Sequence, residues 1–512
     1  MQPLFRSIVG LAAGIVAACA PLKPRAELPY EPAVPPGDST FLDRAFTPVE
    51  TLHPGQSGFN LVSEGPEAFV IRMQSARVAQ RSLDVQIYIW HSDLTGNFLA
   101  QQMIESADRG VHVRLLLDDL DARSKNAGIA SLAAHPNIQV RLFNPFVSRE
   151  GPLRKLGEGL GNFERLNHRM HNKTWIADNR IAIVGGRNVG DEYFGASDEV
   201  NFIDLDFSMI GPVVRDASAS FDRYWNSSLT YPIEMLDPES VNAAALEKLR
   251  LRLASLIGDA SASRYAIALR SDVTVQRLMA GDWPMEWSAT YTFVADSPLK
   301  LTMEKGDARK TEVATAILPQ LEGAQMNVDV ISPYFVPGKQ GTALLVSLAQ
   351  ADKRVRVLTN SLAANDVAAV HGGYSQYRKP LLAGGVRLWE LKPLAGRPVD
   401  SSLFGSTGAS LHTKAFSVDN RMLFVGSYNL DPRSTWLNCE QGVLVESAAL
   451  AGQFETMFES QSASSRAWNV TLRDGSLLWS DGLANFDTEP QASQWRRFQA
   501  WLARTLHLEA QL

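Results

Sequence analysis

The stretch His171–Asp178 (HNKTWIAD) is followed by the turn Gly185–Asn188 (GGRN). The same pattern returns in His412–Asp419 (HTKAFSVD) and Gly426–Asn429 (GSYN). Every matched position is offset by the same 241 residues, as 412 − 171 and 429 − 188 show. A single His-x-Lys pair is usually no more than a solvated strand. Two copies in register, each with its own glycine turn and asparagine, indicate that the chain contains two related halves.

Each copy of the motif predicts a short β-hairpin. Residues 174–177 and 181–184 in the first copy, and 415–418 and 422–425 in the second, flank Asp-Asn pairs that favour a tight turn. Because residues i and i+2 of a strand point to the same face, the histidine and lysine of each copy are expected on one surface. The glycines that follow permit a sharp turn that brings the asparagine alongside.

The repeat extends well beyond the motif. The first half predicts strands at 83–89, 111–117 and 138–143, with helices at 67–80 and 95–109. The second half predicts matching strands at 326–331, 354–358 and 386–390, with a helix at 341–351. Alternation of strand and helix at this spacing indicates βαβ units and a largely parallel sheet. We therefore expect an α/β chain in which a unit of about 150–180 residues occurs twice.

The composition limits the class of protein. The chain has 512 residues, of which 45% are hydrophobic and 20% charged, as is typical of a globular protein with a sizeable core. Its net charge of −6 argues against nucleic acid as the main partner, because phosphate backbones require a basic face. With only Cys19 and Cys439, a disulfide framework is excluded.

The N-terminus indicates a link to a membrane. Arg6 precedes an apolar run from Ile8 to Ala18 that ends at Cys19, which resembles the bacterial lipoprotein signal, where the cysteine becomes a lipidated N-terminus. The alternative is a plain cleaved signal that ends in small residues. Residues 20–58 are rich in proline and predict an extended tether. These features predict a membrane-associated lipoprotein of a bacterial envelope, with the leaflet left open.

Two such halves facing one another would surround one pocket with two histidines, two lysines and two asparagines. Lysine and asparagine suit a phosphodiester whose negative charge spreads in the transition state. One histidine would attack phosphorus and form a phosphohistidine, and the other would exchange protons with the leaving and incoming alcohols. No metal or cofactor is predicted, because the lysines supply the positive charge and the chain has no HExxH motif or cysteine cluster.

Four acidic residues are candidates around this pocket. Asp178 and Asp419 complete the two motifs and are either catalytic or only turn residues. Asp206 and Glu440 are candidates to accept a hydrogen bond from the far nitrogen of a histidine and so fix its tautomer.

The paired H-x-K-x4-D motifs with glycine and asparagine tails resemble the phospholipase D superfamily. Five stretches indicate a more specific family within this superfamily, because they resemble bacterial cardiolipin synthases of the C type. They are residues 169–173, 184–195, 358–367, 408–412 and 429–435. The resemblance runs from about Gly58 to the C-terminus. It implies two pseudo-twofold-related lobes, each a mixed, mostly parallel sheet flanked by helices, with one site between them.

The resemblance also implies roles for the motif residues. His171 would be the nucleophile and His412 the general acid and base. The phosphate would be held by Lys173, Asn188, Lys414 and Asn429. The expected reaction moves a phosphatidyl group from a glycerophospholipid to phosphatidylglycerol, with phosphatidylethanolamine as a further possible substrate. The alternatives are a phospholipase D that releases phosphatidate, a nuclease, and a non-catalytic lipid-binding lipoprotein.

The expected organisation has six parts. They are a signal (1–19), a tether (20–58), a first lobe (59–230), an inter-lobe segment (231–296), a second lobe (297–470) and a tail (471–512). In the tail, residues 494–508 predict an amphipathic helix that either lies in a membrane surface or docks on the second lobe. The basic loop 148–169 either meets anionic lipid or is an ordinary solvated loop. No protein partner follows from the sequence.

Overall fold

The architecture consists of two α/β lobes, each built on one large β-sheet. A computed structural model describes residues 25, 27–122, 126–147, 163–260, 263–271, 273, 276–277, 283–304, 311–365, 367–393 and 411–506. The signal, Cys19 and most of the basic loop 148–169 lie outside these described residues. Within them, no helix is both long and apolar enough to cross a membrane.

The first sheet has nine strands in the order β8-β4-β3-β2-β5-β6-β7-β1-β9. These strands are β1 (Ser57–Val62), β2 (Ser82–Ile87), β3 (His112–Asp118), β4 (Ile138–Phe143), β5 (Thr174–Ala177), β6 (Ile181–Gly185), β7 (Asp206–Ile210), β8 (Thr230–Pro232) and β9 (Glu286–Ser288). The predicted motif hairpin is present, since β5 and β6 pair antiparallel. The turn between them places Asp178 and Asn179 at φ angles of 52° and 54°, as a tight hairpin requires.

The second sheet has ten strands in the order β10-β16-β15-β14-β11-β12-β13-β17-β18-β19. These strands are β10 (Tyr291–Ala295), β11 (Asn327–Ile331), β12 (Arg354–Asn360), β13 (Arg387–Leu391), β14 (Ala415–Val418), β15 (Met422–Gly426), β16 (Gln441–Glu446), β17 (Ala467–Arg473), β18 (Ser476–Ser480) and β19 (Asn485–Phe486). The second motif forms the hairpin β14–β15, with Asp419 and Asn420 at φ angles of 55° and 51°.

Both sheets are mixed, but parallel pairing is limited to the early strands of each repeat. Strands β2, β3 and β4 are parallel neighbours, and so are β11, β12 and β13. The other strand pairs in the described residues are antiparallel. The α/β class with two related lobes is therefore confirmed, but the expectation of mostly parallel sheets is wrong. Each motif returns through a tight hairpin, which joins only antiparallel strands.

Helices cover the sheets of both lobes. They are α1 (Phe41–Leu52), α2 (Gly65–Val78), α3 (Leu94–Asp108), α4 (Asp119–Ala122), α5 (Asn126–Leu132), α6 (Phe163–Leu166), α7 (Asp191–Phe194), α8 (Pro212–Trp225), α9 (Ile233–Leu236), α10 (Ala243–Ala260), α11 (Arg264–Ser271), α12 (Glu312–Glu322), α13 (Gly338–Gln350), α14 (Ala368–Ser375), α15 (Arg378–Ala383), α16 (Pro432–Trp436), α17 (Ala448–Ser462) and α18 (Gln494–Thr505). One buried cluster contains Phe207 and Tyr224 of the first lobe together with Ile331 and Phe454 of the second. Because this core is continuous, the two lobes pack as one unit.

The segment before the first strand is not an extended tether throughout. Helix α1 begins with a capping box between Thr40 and Asp43, and its Leu42 and Phe46 are buried in the core of the first lobe. Further upstream, the Glu31 carboxylate accepts a hydrogen bond from the Trp225 indole at 2.9 Å. The prediction for residues 20–58 is therefore wrong for this part, because side chains between the prolines find partners on the first lobe.

The segment between the lobes belongs to both sheets. Its strand β9 pairs with β1, and its strand β10 pairs with β16. Its helix α10 packs against α3. At the other end, β17 pairs with β13 and carries β18 and β19, so the second sheet extends beyond the expected range 297–470 on both sides.

Helix α18 docks on the second lobe by one face. Arg496 is buried and donates a hydrogen bond to the carbonyl of Leu362 at 3.0 Å. The opposite face leaves Trp495, Phe498 and Trp501 exposed by 56%, 46% and 50%. Of the two predicted alternatives, the helix follows the one in which it docks on the second lobe. Its other face still presents aromatic side chains to the outside.

Candidate active site

Both histidine motifs are anchored on the opposite lobe. The backbone N–H of His171 donates to the carbonyl of Cys439 at 2.9 Å, beside a bridge between Met170 and Cys439. In the same way, the N–H of His412 donates to the carbonyl of Ile203 at 2.8 Å. Each histidine thus begins a motif in one lobe while its own backbone is held by the other lobe.

The side chains of the two histidines also form hydrogen bonds to residues of the opposite lobe. The Nδ1 atom of His171 lies 2.9 Å from Glu440 Oε2 and 3.1 Å from the carbonyl oxygen of Ser427. The Nδ1 atom of His412 lies 2.6 Å from Asp204 Oδ2. Because these partners are acceptors, Nδ1 of each ring carries the proton, and Nε2 is left with a free electron pair.

Of the two carboxylates expected beside a histidine, the structure places Glu440 there and Asp206 elsewhere. The Asp206 carboxylate is buried between Arg72 at 2.9 Å and Arg187 at 3.3 Å. The expectation for Asp206 is therefore wrong, and Asp204 takes that position.

Strand register explains why Asp204 is the counterpart of Glu440. Gly185 pairs with Asp206, and the matching Gly426 pairs with Gly442. Two residues before each partner lie Asp204 and Glu440. The motif offset of 241 residues shortens to 236 here (442 − 206), so a search at constant offset misses Asp204. Aligning the strands after each glycine turn would have found it.

Lys173 and Lys414 lie in equivalent, buried positions. Each ammonium group donates to the carbonyl of the histidine two residues earlier, at 2.6 Å for Lys173. Burial lowers the pKa of Lys173 well below its ordinary value, and Lys414 lowers it further, whereas Glu440 acts in the opposite direction. Both lysines therefore lie in a buried position, where solvent screens any charge they carry only weakly.

The pKa values of both histidines are depressed. Burial lowers the pKa of His171 well below its ordinary value, and Lys173 and Lys414 lower it further. Burial and Lys414 lower the pKa of His412 to about 4, although Asp204 opposes them. Each lysine acts on both histidines, which indicates one shared pocket. Both imidazoles are therefore neutral at pH 7, as a nucleophile requires.

The two asparagines have different environments. The Asn188 side chain donates to the Tyr193 hydroxyl at 3.0 Å and accepts from the N–H of Ile89 at 3.2 Å. The Asn429 side chain is buried, and its Oδ1 atom has no hydrogen-bond partner among the described residues. Asn188 is thus already fixed by the protein, whereas Asn429 retains an unused polar atom.

Asp178 and Asp419 do not belong to the pocket. The Asp178 carboxylate accepts hydrogen bonds from the backbone N–H groups of Gln80, Arg81 and Ser82, at the end of β5 remote from Lys173. Asp419 does the same for the backbone of residues 325–327. Of the two roles stated for these aspartates, the hydrogen bonds favour the turn role. They tie each hairpin turn to the start of the neighbouring strand, β2 or β11, which runs antiparallel to the motif strand.

Aromatic rings line the pocket, and the sequence analysis did not identify them as site residues. Tyr88 lies edge-on to the His171 ring at 5.0 Å between centroids, and Tyr193 lies edge-on to His412 at 5.2 Å. Phe202 stacks on His412 at 5.4 Å. Tyr88 and Phe202 come from loops and Tyr193 from the short helix α7, where no spacing rule distinguishes them from core residues.

Two groups of histidine and acidic residues within the described ranges have ligand atoms close enough to share a metal ion, and neither contains a motif histidine. One consists of His91, Asp93 and Glu192. The other, His371, Glu390 and Glu489, also contacts the guanidinium of Arg378, which pairs with both carboxylates. In that second group the Arg378 guanidinium already offsets part of the negative charge.

The site and the fold define a phospholipase D-like enzyme class, with two His-x-Lys motifs sharing one pocket. The chain belongs to the family described as "Cardiolipin synthase, PLD-like domain", whose model matches residues 72–225 and 317–461. These two ranges carry the first and second motif, so the family match covers both halves of the pocket.

Individual relatives agree with this assignment. The chain is 41% identical over 479 residues to cardiolipin synthase C of Escherichia coli, covering 91% of this chain and 99% of that protein. It is 25% identical over 401 residues to cardiolipin synthase A of Pseudomonas syringae, covering 78% of this chain and 67% of that protein. Phosphatidylserine synthase of Haemophilus influenzae has the same fold, with a TM-score of 0.56 at 13% identity, covering 92% of this chain and 98% of that one.

Proposed function

We propose that this protein is a cardiolipin synthase that transfers a phosphatidyl group from a glycerophospholipid to phosphatidylglycerol through a phosphohistidine. The observation that carries the proposal is the pairing of His171 with Glu440 and of His412 with Asp204 across the lobes, beside two buried lysines. The kinship with cardiolipin synthase C of Escherichia coli supports the choice of substrates.

The first step cleaves the donor. Nε2 of His171 attacks the phosphorus of the donor phosphodiester, and the phosphorus–oxygen bond to the headgroup breaks. The electron pair moves to the headgroup oxygen, which takes a proton from Nε2 of His412. His412 is neutral in the empty pocket, but a bound anionic phosphodiester raises its pKa, so the ring gains this proton from solvent as the substrate binds. A phosphatidyl group is then bonded to His171.

The second step forms the product. His412 removes the proton from a hydroxyl of phosphatidylglycerol, and the hydroxyl oxygen attacks the phosphorus. The bond between phosphorus and His171 breaks, which restores the imidazole and yields cardiolipin. The ammonium groups of Lys173 and Lys414 offset the charge of the phosphoryl oxygens in both steps. If water replaces the hydroxyl, the same residues release phosphatidate instead.

We propose that the enzyme acts at a membrane surface. The sequence up to Cys19 supports lipid attachment at that cysteine. The exposed aromatic face of α18, together with its arginines, is suited to contact with the membrane surface. Both proposed substrates are membrane lipids, so this location brings the enzyme to them.

The products formed from labelled phosphatidylglycerol test the proposal. We expect purified enzyme in mixed micelles to convert this lipid to cardiolipin, and adding phosphatidylethanolamine shows whether it is a second donor. Phosphatidate as the sole product, with and without phosphatidylethanolamine, would contradict the synthase and favour a hydrolase. His171→Ala serves as the control for contaminating activity.

A further inference from the structure

An apolar groove of about 500 Å³ lies in the second lobe, between helices α12 and α13 and the loop that follows Asn429. A volume of this size is within the range of pockets that bury small ligands. Its walls are largely aliphatic and aromatic, and they include Ile317, Leu318, Leu344, Leu345, Tyr428 and Leu430.

The groove adjoins the candidate active site along the backbone. Leu430 directly follows Asn429, and the N–H of Val336 donates to the carbonyl of Leu430 at 2.7 Å. The segment with Val336 follows β11, whose last residue, Ile331, pairs with Ala415 next to Lys414. The groove therefore lies at the same edge of the second sheet as the phosphate-binding residues.

The equivalent space in the first lobe is filled by the protein itself. There Phe69 of α2 lies 5.6 Å from Phe194 and 6.0 Å from Tyr265, measured between ring centroids. Tyr265 comes from the inter-lobe segment, and its hydroxyl donates to the carbonyl of Phe194 at 2.9 Å. These three rings close the gap between α2, α3 and α7.

The repeat shows why the second lobe is open at this place. Gln80 and Gln325 are equivalent residues of the two halves, because their N–H groups bind the two motif aspartates, and they are 245 positions apart (325 − 80). At the same offset, Ala314 is equivalent to Phe69. The motif offset of 241 places Thr435 opposite Phe194. Both Ala314 and Thr435 line the groove. At these two matched positions the second lobe thus has Ala314 and Thr435, where the first lobe has the rings of Phe69 and Phe194.

We propose that this groove holds an acyl chain of the phospholipid whose phosphate lies at the second motif. The inference rests on the proposed function and adds a binding site for the lipid tail. Its walls are largely apolar, and it adjoins the phosphate site. On its lining Leu318 and Trp436 are 44% and 48% exposed, which leaves apolar side chains at the surface of the groove. Burial of methylene groups there would contribute to binding in proportion to the buried area.

Filling the groove tests the proposal. Ala314→Phe restores the ring that the first lobe carries, and Thr315→Phe adds the same ring at the next, exposed position of α12 as a matched control. We expect Ala314→Phe to raise the KM for long-chain phosphatidylglycerol about tenfold or more, with turnover of a dihexanoyl analogue unchanged. Equal KM values for long-chain lipid in Ala314→Phe, Thr315→Phe and wild type would overturn the proposal.

Photolabelling of the wild-type protein tests the site without a substitution and without turnover. Phosphatidylglycerol with a diazirine near the acyl terminus is expected to label residues 314–345 and 428–436. Labelling only outside these segments would overturn the groove, whatever the enzyme's products. If these segments are labelled in a protein that makes no cardiolipin, the acyl-chain site is supported and the proposed reaction is rejected. Photolabelling still tests the acyl-chain site if Ala314→Phe loses activity on both lipids.

Discussion

At the residue scale, the carboxylates behind the two histidines are the most specific feature of the site. Glu440 and Asp204 each fix the tautomer of a ring that belongs to the other lobe. The Glu440 carboxylate also accepts hydrogen bonds from the hydroxyls of Ser427 and Ser434. Burial raises the pKa of Glu440, although Lys173 opposes this, so its charge depends on the lysine nearby. Both carboxylates are positioning residues for the histidines they hold.

We predict that Glu440→Gln lowers kcat about a hundredfold or more, because an amide no longer stabilises the His171 tautomer that leaves Nε2 free. The KM should change much less, since Glu440 faces the histidine rather than the substrate. Steady-state kinetics on phosphatidylglycerol measure both quantities.

Glu446→Gln is the matched control, because Glu446 ends the same strand β16 and pairs only at the surface with Arg421. Its kinetics should equal those of wild type. A Glu440→Gln enzyme with normal kcat would show that the carboxylate is not needed to orient His171.

The motif aspartates lead to a prediction about stability. Asp419→Asn weakens three hydrogen bonds from backbone N–H groups to a carboxylate, so we expect the free energy of unfolding to fall by about 1–2 kcal/mol. The turnover of the folded enzyme should stay the same. Asp474→Asn is the control, because Asp474 is an exposed turn residue with a similar φ of 51°. Loss of turnover without loss of stability would return Asp419 to the catalytic residues.

At the scale of elements, the sequence predicted most of what local rules control. The structure contains the predicted motif hairpins, the strand at 138–143 and the helices predicted near 67–80, 95–109 and 341–351. Apolar periodicity and Asp-Asn turns specify these elements. The direction of the remaining strands was not predictable in this way, since pairing depends on long-range contacts. The helix at 41–52 was missed because Pro48 and its proline-rich flanks obscured a short amphipathic pattern.

At the site, too, local sequence rules did not predict what depends on long-range contacts. His171, Lys173, His412 and Lys414 were found because their spacing repeats, and the structure brings them to one pocket. Asp204 and the rings of Tyr88, Tyr193 and Phe202 were missed because they reach the pocket through tertiary packing. Their positions follow from strand register and loop geometry, which a motif search does not include.

Helix α18 is the element that we propose to contact the membrane. We predict that Trp501→Ser lowers binding to phosphatidylglycerol-containing vesicles several-fold in a sedimentation assay, because the exposed ring is suited to the membrane interface. Activity on a dihexanoyl substrate should be unchanged. Leu483→Ser, at a 99% exposed position, is the control and should bind as wild type does. Equal vesicle binding by both variants would mean that α18 does not contact lipid.

At the scale of the whole molecule, duplication produced one site rather than two. Each lobe supplies a histidine, a lysine and the carboxylate for the other lobe's histidine, so neither lobe alone contains a complete set. The lobes differ around this shared centre. The first fills its outer groove with aromatic rings and the inter-lobe segment, and the second leaves an apolar cavity. This asymmetry suits a reaction in which two lipids take different roles.

A single shared pocket requires that His171 and His412 act together. The most direct measurement is the rate of cardiolipin formation by His171→Ala, His412→Ala and the double variant, compared with wild type. A shared site predicts that each single variant loses about a thousandfold or more, and that the double variant is no slower than the slower single one. If each single variant kept about half the wild-type rate and only the double variant lost the rest, the two motifs would be independent sites, contrary to this account.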